Sequence, residues 1–179
     1  HSGSRNLGTQ VATYYQELAS ALLKSSDEYI AERDEIKLTQ DLKLSGTITV
    51  PAGKTFVLDL NGKTISGETK TPSGSIISLF DVRGTLIVKN GKITAKHVDS
   101  DMQWSKASEI FYVGFGGKLE LADATLEHLG GTAMAYCVDI VNADGATFNA
   151  TNATIKSTYI PVRVFNNSNG ISNVTIKNS

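Results

Sequence analysis

The stretch Leu58-Asp59-Leu60-Asn61-Gly62-Lys63-Thr64-Ile65 decides the fold, because the chain repeats it. It returns as Leu86-Ile87-Val88-Lys89-Asn90-Gly91-Lys92-Ile93 and, more loosely, as Leu119-Glu120-Leu121-Ala122-Asp123-Ala124-Thr125-Leu126. Phe148-Asn149-Ala150-Thr151-Asn152-Ala153-Thr154-Ile155 is a fourth copy, and Val174-Thr175-Ile176-Lys177-Asn178-Ser179 a partial fifth. The first apolar residues of successive copies lie 28, 33, 29 and 26 residues apart. A period in this range marks a stacked architecture, in which each unit buries its apolar face on its neighbours.

Within each copy the pattern has period two. Phe56, Leu58 and Leu60 point one way, and Thr55, Val57 and Asp59 the other. Aligning the copies gives an inward column of Leu58, Leu86, Leu119, Phe148 and Val174. A second is Leu60, Val88, Leu121, Ala150 and Ile176, and a third is Ile65, Ile93, Leu126 and Ile155. The outward column Val57, Ile87, Glu120, Asn149, Thr175 begins apolar, as ground for a partner contact or for cover by the N-terminal segment. Beside it, Asp59 and Lys89 are expected to pair across adjacent strands. A further strand precedes each later copy, at 76–82, 110–113, 138–141 and 162–165. Asn61-Gly62 and Asn90-Gly91 supply left-handed turns, with Asp123, Asn152 and Asn178 in the corresponding places. Asparagines stacked this way can hydrogen-bond along the coil axis. Three short strands and three turns per unit give an all-β, parallel β-helix of about five coils. Periodicity alone does not set its handedness, although parallel crossovers are overwhelmingly right-handed.

Before the repeats, Leu7, Val11, Tyr14, Tyr15, Leu18, Leu22 and Leu23 form one helical stripe. Residues 7–30 therefore read as an N-terminal capping helix that covers the first coil. Residues 1–6 read as a tag remnant, and residues 31–179 as the β-helix, stopped within a repeat. An open last coil invites self-association.

The 179 residues suit one domain with a real core. Seventeen basic residues against eighteen acidic ones leave a net charge of -1, which excludes a field that would hold nucleic acid. No apolar run reaches membrane-spanning length. The one cysteine, Cys137, sits in an apolar strand-like run and reads as a buried small hydrophobe.

The run Pro51-Ala52-Gly53-Lys54-Thr55-Phe56-Val57-Leu58-Asp59-Leu60-Asn61-Gly62-Lys63-Thr64-Ile65-Ser66 resembles the opening coil of pectate-lyase-like β-helix domains in large bacterial surface proteins. The resemblance spans nearly the whole chain and is sharpest over 42–93. It implies a secreted or cell-surface protein. Enzymes of this fold are mostly polysaccharide lyases and glycoside hydrolases, with calcium-binding acidic clusters or aspartates beside an Arg-x-Lys signature. None of those motifs is present.

Binding residues of a stacked coil sit on the turns of variable length. Here those turns are 66–75, 95–108, 128–136 and 157–161. The 95–108 stretch holds the only Trp and accounts for the longest spacing. Asp99 and Asp101 offer alternate carboxylates to calcium, against the plain reading of a solvated turn. Trp104 and Tyr159, with Glu68 nearby, offer an aromatic platform for a sugar ring. His97 and His128 fall at comparable edge positions in adjacent coils, where with Asp99 or Asp101 they are candidates for a metal or for acid–base work. The alternative is that both are ordinary loop histidines.

Two functions follow as expectations. The first is a non-catalytic, adhesin-like surface module whose loops touch a polysaccharide or host glycan, without cofactor. The alternative is a polysaccharide lyase or glycoside hydrolase with its site on the 95–108 and 127–136 loops, built from His97, Asp99, Asp101 and His128 with a base such as Lys96, Lys106 or Arg163.

Overall fold

The computed structural model describes residues 34–69, 77–98, 108–129, 134–141, 143–166 and 170–179. The expected capping helix and the 1–6 remnant lie outside these residues. Among the described residues the chain is all-β, a parallel β-solenoid. The first coil holds β1 (Asp34–Lys37), β2 (Leu42–Leu44) and β3 (Ile48–Val50). The next holds β4 (Thr55–Asp59), β5 (Thr64–Thr69) and β6 (Ile77–Val82). Then come β7 (Thr85–His97) with β8 (Ser108–Val113), and β9 (Lys118–Leu129) with β10 (Ala135–Val141). The last strands are β11 (Thr147–Thr151), β12 (Thr154–Ser157), β13 (Ile160–Phe165) and β14 (Asn173–Lys177). One long sheet runs β1-β4-β7-β9-β11-β14, and a five-stranded sheet runs β13-β10-β8-β6-β3. No helix among the described residues is long and apolar enough to cross a membrane.

The asparagine turns behave as the repeat implies. Asn61, Asn90, Asp123, Asn152 and Asn178 all adopt positive φ, between 50° and 60°. Short polar side chains reach the left-handed region at low cost, and each bond they make locally offsets part of it. The Asn152 amide donates to Asp123 Oδ1 at 3.1 Å, one coil back along the axis. Asn90 donates to Asp59 Oδ1 at 3.1 Å, and Asn61 to the Leu38 carbonyl at 2.9 Å. Asp59 accepts from Asn90 and from the backbone N–H of Asn61. As expected, it stands opposite Lys89, whose charge acts on the Asp59 carboxyl while its ammonium bonds Glu35 at 2.9 Å.

The first copy is shifted by two residues from the alignment of the repeats. Phe56 stands beside Leu86, Leu119, Phe148 and Val174; Leu58 stands beside Val88, Leu121, Ala150 and Ile176. The cause is the turn. Between Asp59 and Thr64 lie Leu60 to Lys63, whereas Lys89 and Lys92 are separated only by Asn90 and Gly91. A shift of two keeps every side chain on its own face, so the core survives the misalignment. Leu60 is fully buried over the next coil, and a Cβ on Gly91 would lie 2.5 Å from its Cβ. Glycine at 91 makes room for the longer turn.

The five-stranded sheet departs from strict alternation. Leu79 and Phe80, Ile110 and Phe111, and Cys137 and Val138 are consecutive pairs that all belong to the core. Two neighbours can both face inward only where the strand bends. The bend repeats in three coils, and Phe80 stacks on Phe111 within it at 5.0 Å between centroids. In the last strands Val164, Phe165, Ile171, Val174 and Ile176 are exposed.

Candidate functional site

Two polar clusters flank the sheet, one inside the coil and one outside. Inside, Thr69 ends β5, His97 ends β7, Ser108 opens β8 and His128 lies near the end of β9. Thr69 Oγ1 lies 3.2 Å from His97 Nδ1 and 2.5 Å from Ser108 Oγ. Ser108 Oγ lies 2.9 Å from His128 Nε2. The result is one hydrogen-bonded chain across neighbouring coils, with all four side chains buried. Burial holds the His128 imidazole down at about 4, and charge on neighbouring His97 would add to the penalty, so the ring is neutral at neutral pH.

This corrects the expectation of loop-borne histidines. Both continue the inward phase of their strands: Ile93, Ala95 and His97 on one, Ala124, Leu126 and His128 on the other. A serine hydrogen-bonded to a histidine resembles an activated nucleophile. Here Ser108 and His128 have no exposed surface, so no substrate reaches them. Cys137 lies in the same interior and donates to the Lys156 carbonyl at 3.0 Å; burial pushes its thiol up to about 12, outside the reactive range.

The other candidates are scattered. Glu68 is exposed on β5 and pairs with Lys43 at 3.1 Å. Tyr159 is exposed and meets the Tyr136 ring edge-on at 5.8 Å. Asp99, Asp101 and Trp104 lie outside the described residues, so the calcium pair and the Trp104–Tyr159 platform have no geometry here. Among the described residues no three His, Cys, Asp or Glu side chains converge to hold a metal ion.

The second cluster lies on the outer face of the five-stranded sheet. Register aligns Asp81, Tyr112, Asp139 and Arg163 as neighbours in successive coils. Arg163 donates to both Asp139 oxygens, from Nε at 2.7 Å and from Nη2 at 2.5 Å. Its guanidinium lies 4.1 Å from the Tyr136 ring centroid and 5.7 Å from that of Phe165. Arg83 makes a parallel unit, with Nε 3.0 and 3.1 Å from the Asp81 oxygens and its guanidinium 6.0 Å from the Tyr112 ring.

Glu109 completes the cluster. The strand bend brings it toward Asp139, and both carboxyl groups have no exposed surface. Among the described residues no N–H reaches either Glu109 oxygen. Burial raises its carboxyl well above the usual range, the charge on Asp139 raises it further, and Arg163 offsets only part of this. Both effects favour the protonated form of Glu109, whose O–H could then donate a hydrogen bond to Asp139, since two adjacent buried carboxylates cannot readily both ionise. Sequence alone missed this residue. In strict alternation Glu109 shares the phase of inward-facing Phe111 and Val113; the bend reverses it. The available signal was the apolar doublet repeated at 79–80, 110–111 and 137–138, each followed by a polar or charged residue.

The outer face thus offers aromatic rings and two guanidinium–carboxylate planes, laid over the buried Glu109 carboxyl. Aromatic faces receive the C–H surface of a sugar ring, and fixed planar polar groups hydrogen-bond its hydroxyls. No family model matches this sequence, and no curated protein or solved structure matches it either.

Proposed function

We propose that the chain is a non-catalytic binding module, adhesin-like and placed outside the cell, that presents the outer face of its five-stranded sheet to a carbohydrate. The observation that carries this reading is Arg163, clamped on Asp139 and stacked on Tyr136, with exposed Tyr159 and Phe165 at its sides. Extracellular placement and a pectate-lyase-like ancestry draw support from the resemblance of the 51–66 run. The test is retention of the purified chain in gels containing different polysaccharides. Retention by at least one polymer, lost in Tyr159→Ala with Phe165→Ala, supports the reading. Equal retention of chain and double variant removes this face from it.

A second reading, a carbohydrate-active enzyme, has one observation in its favour. Burial, then neighbouring Asp139, raise the Glu109 carboxyl well above the usual carboxylate range, the direction a general acid needs. Reaching it would require Arg163 or Tyr136 to move, since Glu109 is fully covered. Shortening of a polymer by the native chain and not by Glu109→Gln would establish this reading in place of the first.

A further inference from the structure

We infer that the carbohydrate taken by this face is uncharged, a neutral hexose or pentose polymer rather than a uronate- or sialate-bearing one; the inference rests on the binding reading above. Among the described residues the cations of this face are Arg83 and Arg163. Each is already committed to a carboxylate, Arg83 to Asp81 and Arg163 to Asp139. The charges of the two pairs cancel, and Glu109 adds none while it holds its proton.

An acidic sugar would have to draw one guanidinium away from its partner. For Arg163 the cost is high, because Asp139 has no exposed surface and would be left buried without its cation, beside another acidic group. A neutral sugar makes no such demand. Nε and Nη2 of Arg163 face Asp139, which leaves the Nη1 edge for a hydroxyl oxygen. Tyr159 and Phe165 are exposed beside it for a ring face. A surface of balanced ion pairs and aromatic rings discriminates by hydrogen bonding and shape, whereas a surface of unpaired cations discriminates by charge.

The experiment compares binding isotherms of the purified chain for soluble neutral polymers (dextran, xyloglucan, galactomannan) and for alginate and polygalacturonate, at low and moderate salt. At least one neutral polymer should bind tenfold or more tighter than either uronate polymer, with little response to salt. Asp81→Asn releases Arg83 at a partly exposed position, and Asp139→Asn releases Arg163; either should raise uronate affinity several-fold and make it salt-dependent. Equal or tighter binding of uronates by the native chain would overturn the inference and leave the binding reading standing. Binding of neither class would overturn both.

Discussion

The interior chain of Thr69, His97, Ser108 and His128 joins the long sheet to the start of β8, the exterior cluster of Glu109, Asp139 and Arg163 lies on the five-stranded sheet, and both bury titratable groups. They differ in how the charge is handled. Inside, hydroxyls meet imidazoles, and backbone hydrogen bonds at Leu129 and Ser108 offset only part of what burial and neighbouring His97 cost a charged His128. Outside, two hydrogen bonds fix Arg163 on Asp139, and burial beside Asp139 pushes the Glu109 carboxyl toward its protonated form. The difference teaches that one fold can carry two proton-linked sites of opposite sign. A group neutralised by burial resists acid if it is a carboxyl and resists base if it is an imidazole.

The largest expected effect comes from breaking the exterior ion pair. Asp139→Ala leaves a guanidinium at 21% side-chain exposure without its partner and removes the acceptor of the Glu109 proton. A loss of about 3 kcal/mol in chemical denaturation is expected, against less than about 1 kcal/mol for Lys43→Ala, whose pair with Glu68 lies in solvent. Next comes the interior under acid. The folded-state value for His128 is depressed to about 4 from 6.5, so its contribution is intact above pH 6.5 and is lost as pH falls toward 4. That loss amounts to about 3 kcal/mol, read as a fall in melting temperature and as a histidine ring signal that titrates near the lower value.

Smaller effects sharpen the comparison. Ser108→Ala removes the hydroxyl between Thr69 and His128 and leaves polar atoms of both without it, a cost of roughly 1–3 kcal/mol by denaturation. Glu109→Gln should stabilise, by about 1 kcal/mol at neutral pH. The folded value of Glu109 is raised, so the native protein loses stability as pH rises above 4.5; an amide donates to Asp139 at every pH.

The sequence carried most of this architecture in its turns. The recurring asparagine at positive φ placed the long sheet, because few other residues serve that backbone cheaply. The first copy was misread by two residues because Leu58-x-Leu60 and Leu86-x-Val88 look alike, and only the longer turn at Leu60–Lys63 separates them. The site was less legible. His97 and His128 stand where a strand hands over to a connection, and alternation alone does not say where the handover falls. Glu109 was hidden by a bend, which reverses the face of every residue beyond it. Tyr159, expected to pair with Trp104, and Arg163, expected as a base beside His97 and His128, both contact Tyr136, a residue the loop reading did not connect with Arg163.

The most direct measurement is unfolding free energy from pH 4 to 8 for the native chain and for Glu109→Gln. The variant should gain stability from pH 4 to 6.5, as His128 sheds its penalty, and then level off. The native chain should rise less and lie progressively below the variant as pH climbs past 4.5, because its protonated Glu109 opposes the gain. A constant offset between the two curves at every pH would contradict the shared proton of Glu109 and Asp139, and with it the neutral outer face.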